Sequence, residues 1–143
     1  MEIRKACMAD RDGITALLTA LDYPNTEAFI DKRLAQLLIH EDENLLVASE
    51  QGKVLGILSL HFIPQLALAG DFCRISYFCV DSQGRSGGIG QRLLAVGERL
   101  ARQRGCDRIE VHCHSRRERA HAFYQREGFR EVPKYFMKPL HQD

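Results

Sequence analysis

The sequence predicts a mixed α/β fold, an α+β arrangement in which a largely antiparallel sheet carries one parallel strand–helix–strand unit. Three observations lead there. Runs rich in β-branched, aromatic and leucine residues at 45–48, 54–63, 72–80 and 108–114 are interspersed with stretches whose apolar residues recur at helical spacing. Glu50-Gln51-Gly52-Lys53 joins two of the strand-like runs as a tight turn, which makes them an antiparallel hairpin. Four of the eleven glycines fall between Gly84 and Gly90, after a strand-like run and before an amphipathic stretch. A strand that feeds such a turn and then a helix returns to pair in parallel with the next strand.

Residues 2–6 read as a short first strand, and Asp10 is placed to cap a helix whose Ile14, Leu17, Leu18 and Leu21 form one stripe. Tyr23-Pro24-Asn25 breaks that helix. A second helix runs from about Thr26 to His40 with Phe29, Ile30, Leu34, Leu37 and Leu38 inward. The hairpin of residues 44–63 follows, then a loop from Pro64 to Asp71 and the strand 72–80. After the glycine-rich turn, Ile89, Leu93, Val96, Leu100 and Ala101 line one face of a helix that Gly105 terminates. A strand from Arg108 to His114, a helix over 116–127 closed by Gly128, and a closing strand within 129–140 complete the order β-α-α-β-β-β-α-β-α-β.

The 143 residues suffice for one domain, 1–143, with a sizeable core. Twenty Lys and Arg nearly balance nineteen Asp and Glu, so no global field favours nucleic acid or a membrane surface. No apolar run approaches a membrane span, and the N-terminus leads into no signal core. Five cysteines at 7, 73, 79, 106 and 113 show no paired spacing, which suits reduced thiols in a cytoplasmic protein.

The glycine-rich turn is the chemical signal. A helix N-terminus behind glycines offers unpaired N–H groups and partial positive charge to a phosphate or pyrophosphate, and Arg85 adds a guanidinium at its mouth. It is no Walker loop, because Gln91-Arg92 follows Gly90 where Lys-Ser/Thr is required. Nor is it the dinucleotide fingerprint, whose third glycine position holds Leu93. What it does match is Arg-x-x-Gly-x-Gly, filled by Arg85, Gly88 and Gly90. This resembles the acyl-CoA pyrophosphate loop of the GNAT superfamily of N-acetyltransferases. A second segment, Ala120-His121-Ala122-Phe123-Tyr124 through Gly128-Phe129, resembles that family's Ala-x-x-x-Tyr…Gly-Phe signature. With the element order, the resemblance covers the whole chain. Around Ser59-Leu60-His61, Arg117 to Tyr124 and Arg126 to Phe129 it is locally similar to aminoalkylphosphonate acetyltransferases.

The resemblance implies acetyl transfer from acetyl-CoA to a small primary amine by direct attack in a ternary complex. The pantetheine arm would pair with Phe78, Cys79 and Val80, and the pyrophosphate would lie on Arg85, Ser86, Gly87, Gly88, Ile89, Gly90 and Gln91. Tyr124 matches the tyrosine that protonates the departing CoA thiolate. Two positions depart from the family pattern. Arg117 stands where many members have asparagine, and it could reach cofactor phosphate or pantetheine oxygens. Tyr77 stands where many have a glutamate base, and a phenol is a poor base at neutral pH. His61 is the first alternative, since imidazole titrates in the right range; His112, His114, Asp71 and Glu110 are further ones. His112 and His114 share a strand face but supply two ligands only, so no metal is expected. Histidines and arginines near the site suit an anionic amine, the balanced charge argues against an RNA partner, and a homodimer through the segment 134–140 is consistent with the family's habit. The competing reading is a catalytically silent acyl-CoA-binding module, motivated by Tyr77.

Overall fold

In the computed structural model, residues 1–82, 87–113, 117–132 and 135–141 are described. The chain forms two units, Met1–His112 and Cys113–Asp143. The first holds β1 (Glu2–Lys5), α1 (Arg11–Ala20), α2 (Ile30–Ile39), β2 (Glu43–Glu50), β3 (Lys53–Ile63), β4 (Phe72–Val80), α3 (Ile89–Gln103) and β5 (Arg108–Val111). The second holds α4 (Glu118–Arg126).

The sheet order is β1-β2-β3-β4-β5, antiparallel throughout except for the parallel β4–β5 pair. The β2–β3 hairpin turns on Gln51 and Gly52, both at positive φ, as a two-residue loop between right-twisted strands requires. One face of the sheet meets α1 and α2. Ile14 and Leu17 of α1, Ile30 and Leu34 of α2, and Leu45, Val47, Val54, Ile57 and Cys79 of the strands form one buried cluster there. The opposite face meets α3, whose Leu93 and Leu94 are fully buried. Gly97 lets that helix approach closely, because a Cβ there would lie 2.9 Å from Leu58 Cδ2. β3 is therefore buried on both faces, with Ile57, Leu58 and Leu60 at or below 1% exposure.

Three expectations are corrected. Asp10 does not cap α1 through its side chain. Its carboxylate accepts hydrogen bonds from Arg4 at 2.8 and 2.9 Å and from the Cys7 N–H at 2.9 Å, tying β1 to the turn before the helix. Arg4's hydrogen bonds hold the Asp10 carboxyl below its ordinary range against the opposing effect of burial. The stabilisation is present above the carboxylate's unfolded pKa and fades as pH falls through the lowered folded value. Phe29 is 49% exposed rather than inward, because it precedes α2 with a non-helical backbone and so leaves the helical stripe. No strand forms among the described residues of 129–140. Pro133 and Pro139 fall within that segment, and each removes a ladder donor.

Gly13 of α1 sits against β3, where an added Cβ would lie 2.7 Å from Val54 Cβ. That atom is fixed to the backbone, so the helix itself must move. We expect Gly13→Ala to lower stability by about 1–2 kcal/mol, strain outweighing the gain in helix propensity. A urea midpoint that falls at unchanged slope is the confirming result, and an unchanged or higher midpoint excludes the clash.

Candidate active site

β4 keeps two different companies. Its ladder with β3 continues to Gly56↔Val80, whereas its ladder with β5 ends at Ile75↔Val111. At the same point the β3–β4 register slips: Leu60 pairs with Ile75 and Ser59 with Tyr77, so Ser76 is an extra residue on β4. Such a bulge bends the strand and re-aims side chains. Here Ser76 and Tyr77, adjacent in sequence, both serve the α1–α2 side. Phe78, Cys79 and Val80 follow, with the Cys79 thiol buried and directed at the Leu17 carbonyl at 3.5 Å.

Gly88 then opens α3 at φ +74° with no side-chain cap, and the first helical turn contains no acidic residue. A Cβ on Gly87 or Gly88 would meet no atom of the described residues within 4 Å. Open space above an uncapped helix N-terminus, reached through a backbone turn natural only to glycine, suits an anion. Arg85 and Ser86 of the expected loop lie outside the described residues, as do His114 and Arg116.

A polar chain crosses the sheet on the α1–α2 side. Glu43 and His61 face each other across β2 and β3, and His61 Nδ1 contacts Glu43 Oε2. The other ring nitrogen, Nε2, lies 2.5 Å from Ser76 Oγ. Beside them Tyr77 packs edge-on against Tyr23, ring centroids 5.3 Å apart. On the other flank Arg74, paired with His61 in the β3–β4 register, bonds Glu110 through Nε at 3.0 Å and Nη2 at 2.6 Å. Burial alone would raise the Glu110 carboxyl, but the hydrogen bonds from Arg74 and Arg108 hold it below its ordinary range. That makes it a weak proton acceptor. Asp71 is engaged with Arg104 at 3.6 Å, and His112 is exposed just past the end of β5. Among the candidate bases, His61 has a carboxylate against one ring nitrogen and a hydroxyl against the other.

In the second unit, Gly128 at φ +95° ends α4, and the Phe129 N–H returns to the Tyr124 carbonyl at 2.9 Å. Tyr124 is half-buried between Phe123 and Phe129, at centroid distances of 5.6 and 5.3 Å. Burial pushes its phenol up to about 12, with the Cys113 sulfur reinforcing the shift and Arg117 opposing it. Arg117 stands just before α4 and is exposed. The phenol therefore stays protonated, as a proton donor must.

Comparison with known proteins decides the family. The model of the acetyltransferase (GNAT) family matches residues 12–129. The chain belongs to the GNAT acetyltransferase family. A GNAT relative, aminoalkylphosphonate N-acetyltransferase from Salmonella typhimurium, is 36% identical over 146 aligned positions, covering 97% of this chain and 91% of that one. The protein is accordingly an N-acetyltransferase. Among solved structures, a transcriptional regulator from Bacillus halodurans superposes with a TM-score of 0.90 at 22% identity, covering 97% and 99% of the two chains. Glucosamine-6-phosphate N-acetyltransferase from Arabidopsis thaliana gives 0.83 at 21% identity, covering 98% of each. At these identities the likeness speaks for the fold.

Of the residues singled out from the sequence, His61, Tyr77, Phe78, Cys79, Val80, Gly87, Gly88, Ile89, Gly90 and Gln91 belong to the first unit of this GNAT chain, and Arg117 and Tyr124 to the second. Glu43 and Ser76 escaped the sequence reading. Glu43 becomes visible only once β2 and β3 are in register, and a lone serine in a strand gives no sign of a bulge. The raised phenol makes a measurable prediction. In an alkaline titration followed by tyrosinate absorbance, Tyr124 gives a phase near pH 12, and Tyr124→Phe removes it. Folded-state stability conferred by the neutral phenol is present below its unfolded value of 10 and is lost as pH rises toward 12. Persistence of that phase in the variant would contradict the burial argument.

Proposed function

We propose that residues 1–143 act as one domain that transfers the acetyl group of acetyl-CoA to a small primary amine by direct attack in a ternary complex. The observation that carries this reading is the parting of β4 from β5 after Ile75, directly upstream of residues 78–80 and of the uncapped start of α3. The family model spans the boundary between the two units, which supports treating them as one functional domain.

Acetyl-CoA supplies the acyl group as a thioester. The backbone of Phe78, Cys79 and Val80 would hold its pantetheine arm as an added strand. The N–H groups at Gly87, Gly88, Ile89, Gly90 and Gln91, joined by Arg85 and Ser86, would hold its pyrophosphate. The open space at Gly87 and Gly88 fits that ligand. Arg117 adds positive charge before α4. Tyr124 holds a proton for the departing thiolate, and its neutral form persists across the working range because its pKa is raised. His61 removes the proton that the ammonium must lose before attack, with Tyr77 and Tyr23 as an aromatic wall beside it. The Salmonella typhimurium relative is named for aminoalkylphosphonates, which favours an anionic acceptor here. Five free thiols and the absence of any described helix long and apolar enough to cross a membrane support a cytoplasmic setting.

CoA release from acetyl-CoA, measured against a panel of aminoalkylphosphonates, amino acids and uncharged amines, tests the reading. We expect turnover with at least one anionic primary amine. Tyr124→Phe should lower kcat by about 10²-fold, the scale of a lost general acid. Acetyl-CoA binding without turnover of any amine overturns the reading, and full activity in Tyr124→Phe removes the tyrosine from it.

A further inference from the structure

The contacts around His61 specify more than a base. The Glu43 carboxylate lies against Nδ1 as an ion-pair contact without hydrogen-bond geometry, and its negative charge favours the tautomer with the hydrogen on Nδ1. In that tautomer Nε2 turns its lone pair toward Ser76 Oγ, 2.5 Å away, and the hydroxyl donates to it. The order hydroxyl, imidazole, carboxylate thus follows from the Ser76 hydrogen bond on one side and the charge of Glu43 on the other. Each member comes from a different strand: Glu43 begins β2, His61 lies near the end of β3, and Ser76 is the extra residue of the β4 bulge. Ser76 is exposed, whereas the Glu43 side chain is 19% exposed and that of His61 26%. The hydroxyl is the end of the chain that an incoming molecule meets. It also stands two residues before Phe78, where the strand begins the stretch assigned to the pantetheine arm. The charged groups facing His61 across the sheet are Glu43 on β2 and Arg74 on β4, the latter held by Glu110.

We propose that Ser76 is a catalytic residue that takes the substrate's proton directly and relays it to His61, with Glu43 as the positioning residue for the imidazole. The proposal rests on the reading of His61 as the base and deepens it. In the step, an N–H bond of the substrate ammonium breaks as an O–H bond forms at Ser76 Oγ. The original Ser76 O–H bond breaks together with it, and its proton forms an N–H bond at His61 Nε2. The products are a neutral amine with a free lone pair and an imidazolium facing the Glu43 carboxylate. The quarter-exposed ring returns its proton to solvent between turnovers. No electrons change hands, and no bond forms between Ser76 and the acetyl group.

The test uses the full chain, acetyl-CoA and the panel amine with the highest turnover. Ser76→Ala and His61→Gln should each lower kcat by about 10²-fold near neutral pH, with little change in the KM for acetyl-CoA. The double variant should be no slower than either single one, because the residues act as a unit. Both deficits should shrink as pH rises and solution supplies more free amine, which a merely structural defect would not do. Ser76→Thr, which keeps the hydroxyl, should restore most of the rate. Nitrogen NMR of the His61 ring should show the Nδ1–H form in the wild type, a mixture of forms in Glu43→Gln, and a shift confined to Nε2 in Ser76→Ala. Loss in His61→Gln with full activity in Ser76→Ala overturns the relay while leaving His61 as a direct base. Full activity in both variants overturns the reading of His61 itself. Additive losses, an Nε2–H ring in the wild type, or an acetyl adduct trapped on Ser76 each overturn the relay as well.

Discussion

The arrangement of the first unit depends on a single constraint, that β4 cannot satisfy two neighbours along its whole length. β3 holds it antiparallel from Phe72 to Val80, through Ile63 down to Gly56. β5 holds it in parallel over four residues only. The extra residue at Ser76 falls where the second partnership stops, and a bulge there adds twist that carries the remainder of β4 away from β5. The same insertion shifts the alternation of side chains, so that Ser76 and Tyr77 serve one side while Ile75 stays buried on the other. A regular strand would have turned one of them into the core.

What makes such a departure tolerable is the burial of β3. Leucine and isoleucine side chains from it enter both faces, against α1 and α2 on one side and α3 on the other. Each fully buried side chain of this size contributes roughly 1.5–3 kcal/mol relative to exposure. The cost of one interrupted ladder position is small beside that. The polar residues of β3 sit where this burial ends: Ser59 is still enclosed, and His61 emerges far enough to meet both a carboxylate and solvent.

Much of this was legible from residue order. Helical periodicity at Ile14, Leu17 and Leu21, the Gln51-Gly52 turn, and the run from Phe72 to Val80 each correspond to the element they suggest. Gly105 and Gly128 end helices at positive φ, as their placement after the last apolar positions implies. The misses share a cause, namely that local chemistry admitted more than one partner. Asp10 had a helix start within reach, but Arg4 from β1 offered two charge-assisted hydrogen bonds at once. Phe29 continued an apolar pattern that the backbone had not yet made helical. Residues 129–140 had strand-like side chains interrupted by two prolines. In the site, His61 was readable as an imidazole of suitable chemistry. Its neighbours were not, because Glu43 and Ser76 come to it through strand register rather than through spacing along the chain.

The contact between Tyr23 and Tyr77 separates two kinds of heritable change. Tyr77 belongs to the sheet, where its register opposite Ser59 fixes the position of the side chain. Tyr23 belongs to the connection after α1, between Asp22 and Asn25, two residues in left-handed conformation. That connection lies outside every ladder of the sheet. Its length and side chains are open to drift while His61 and Ser76 on the strands stay in place. The contact thus joins a position that the sheet holds to one that it leaves open, and the two can change independently of each other.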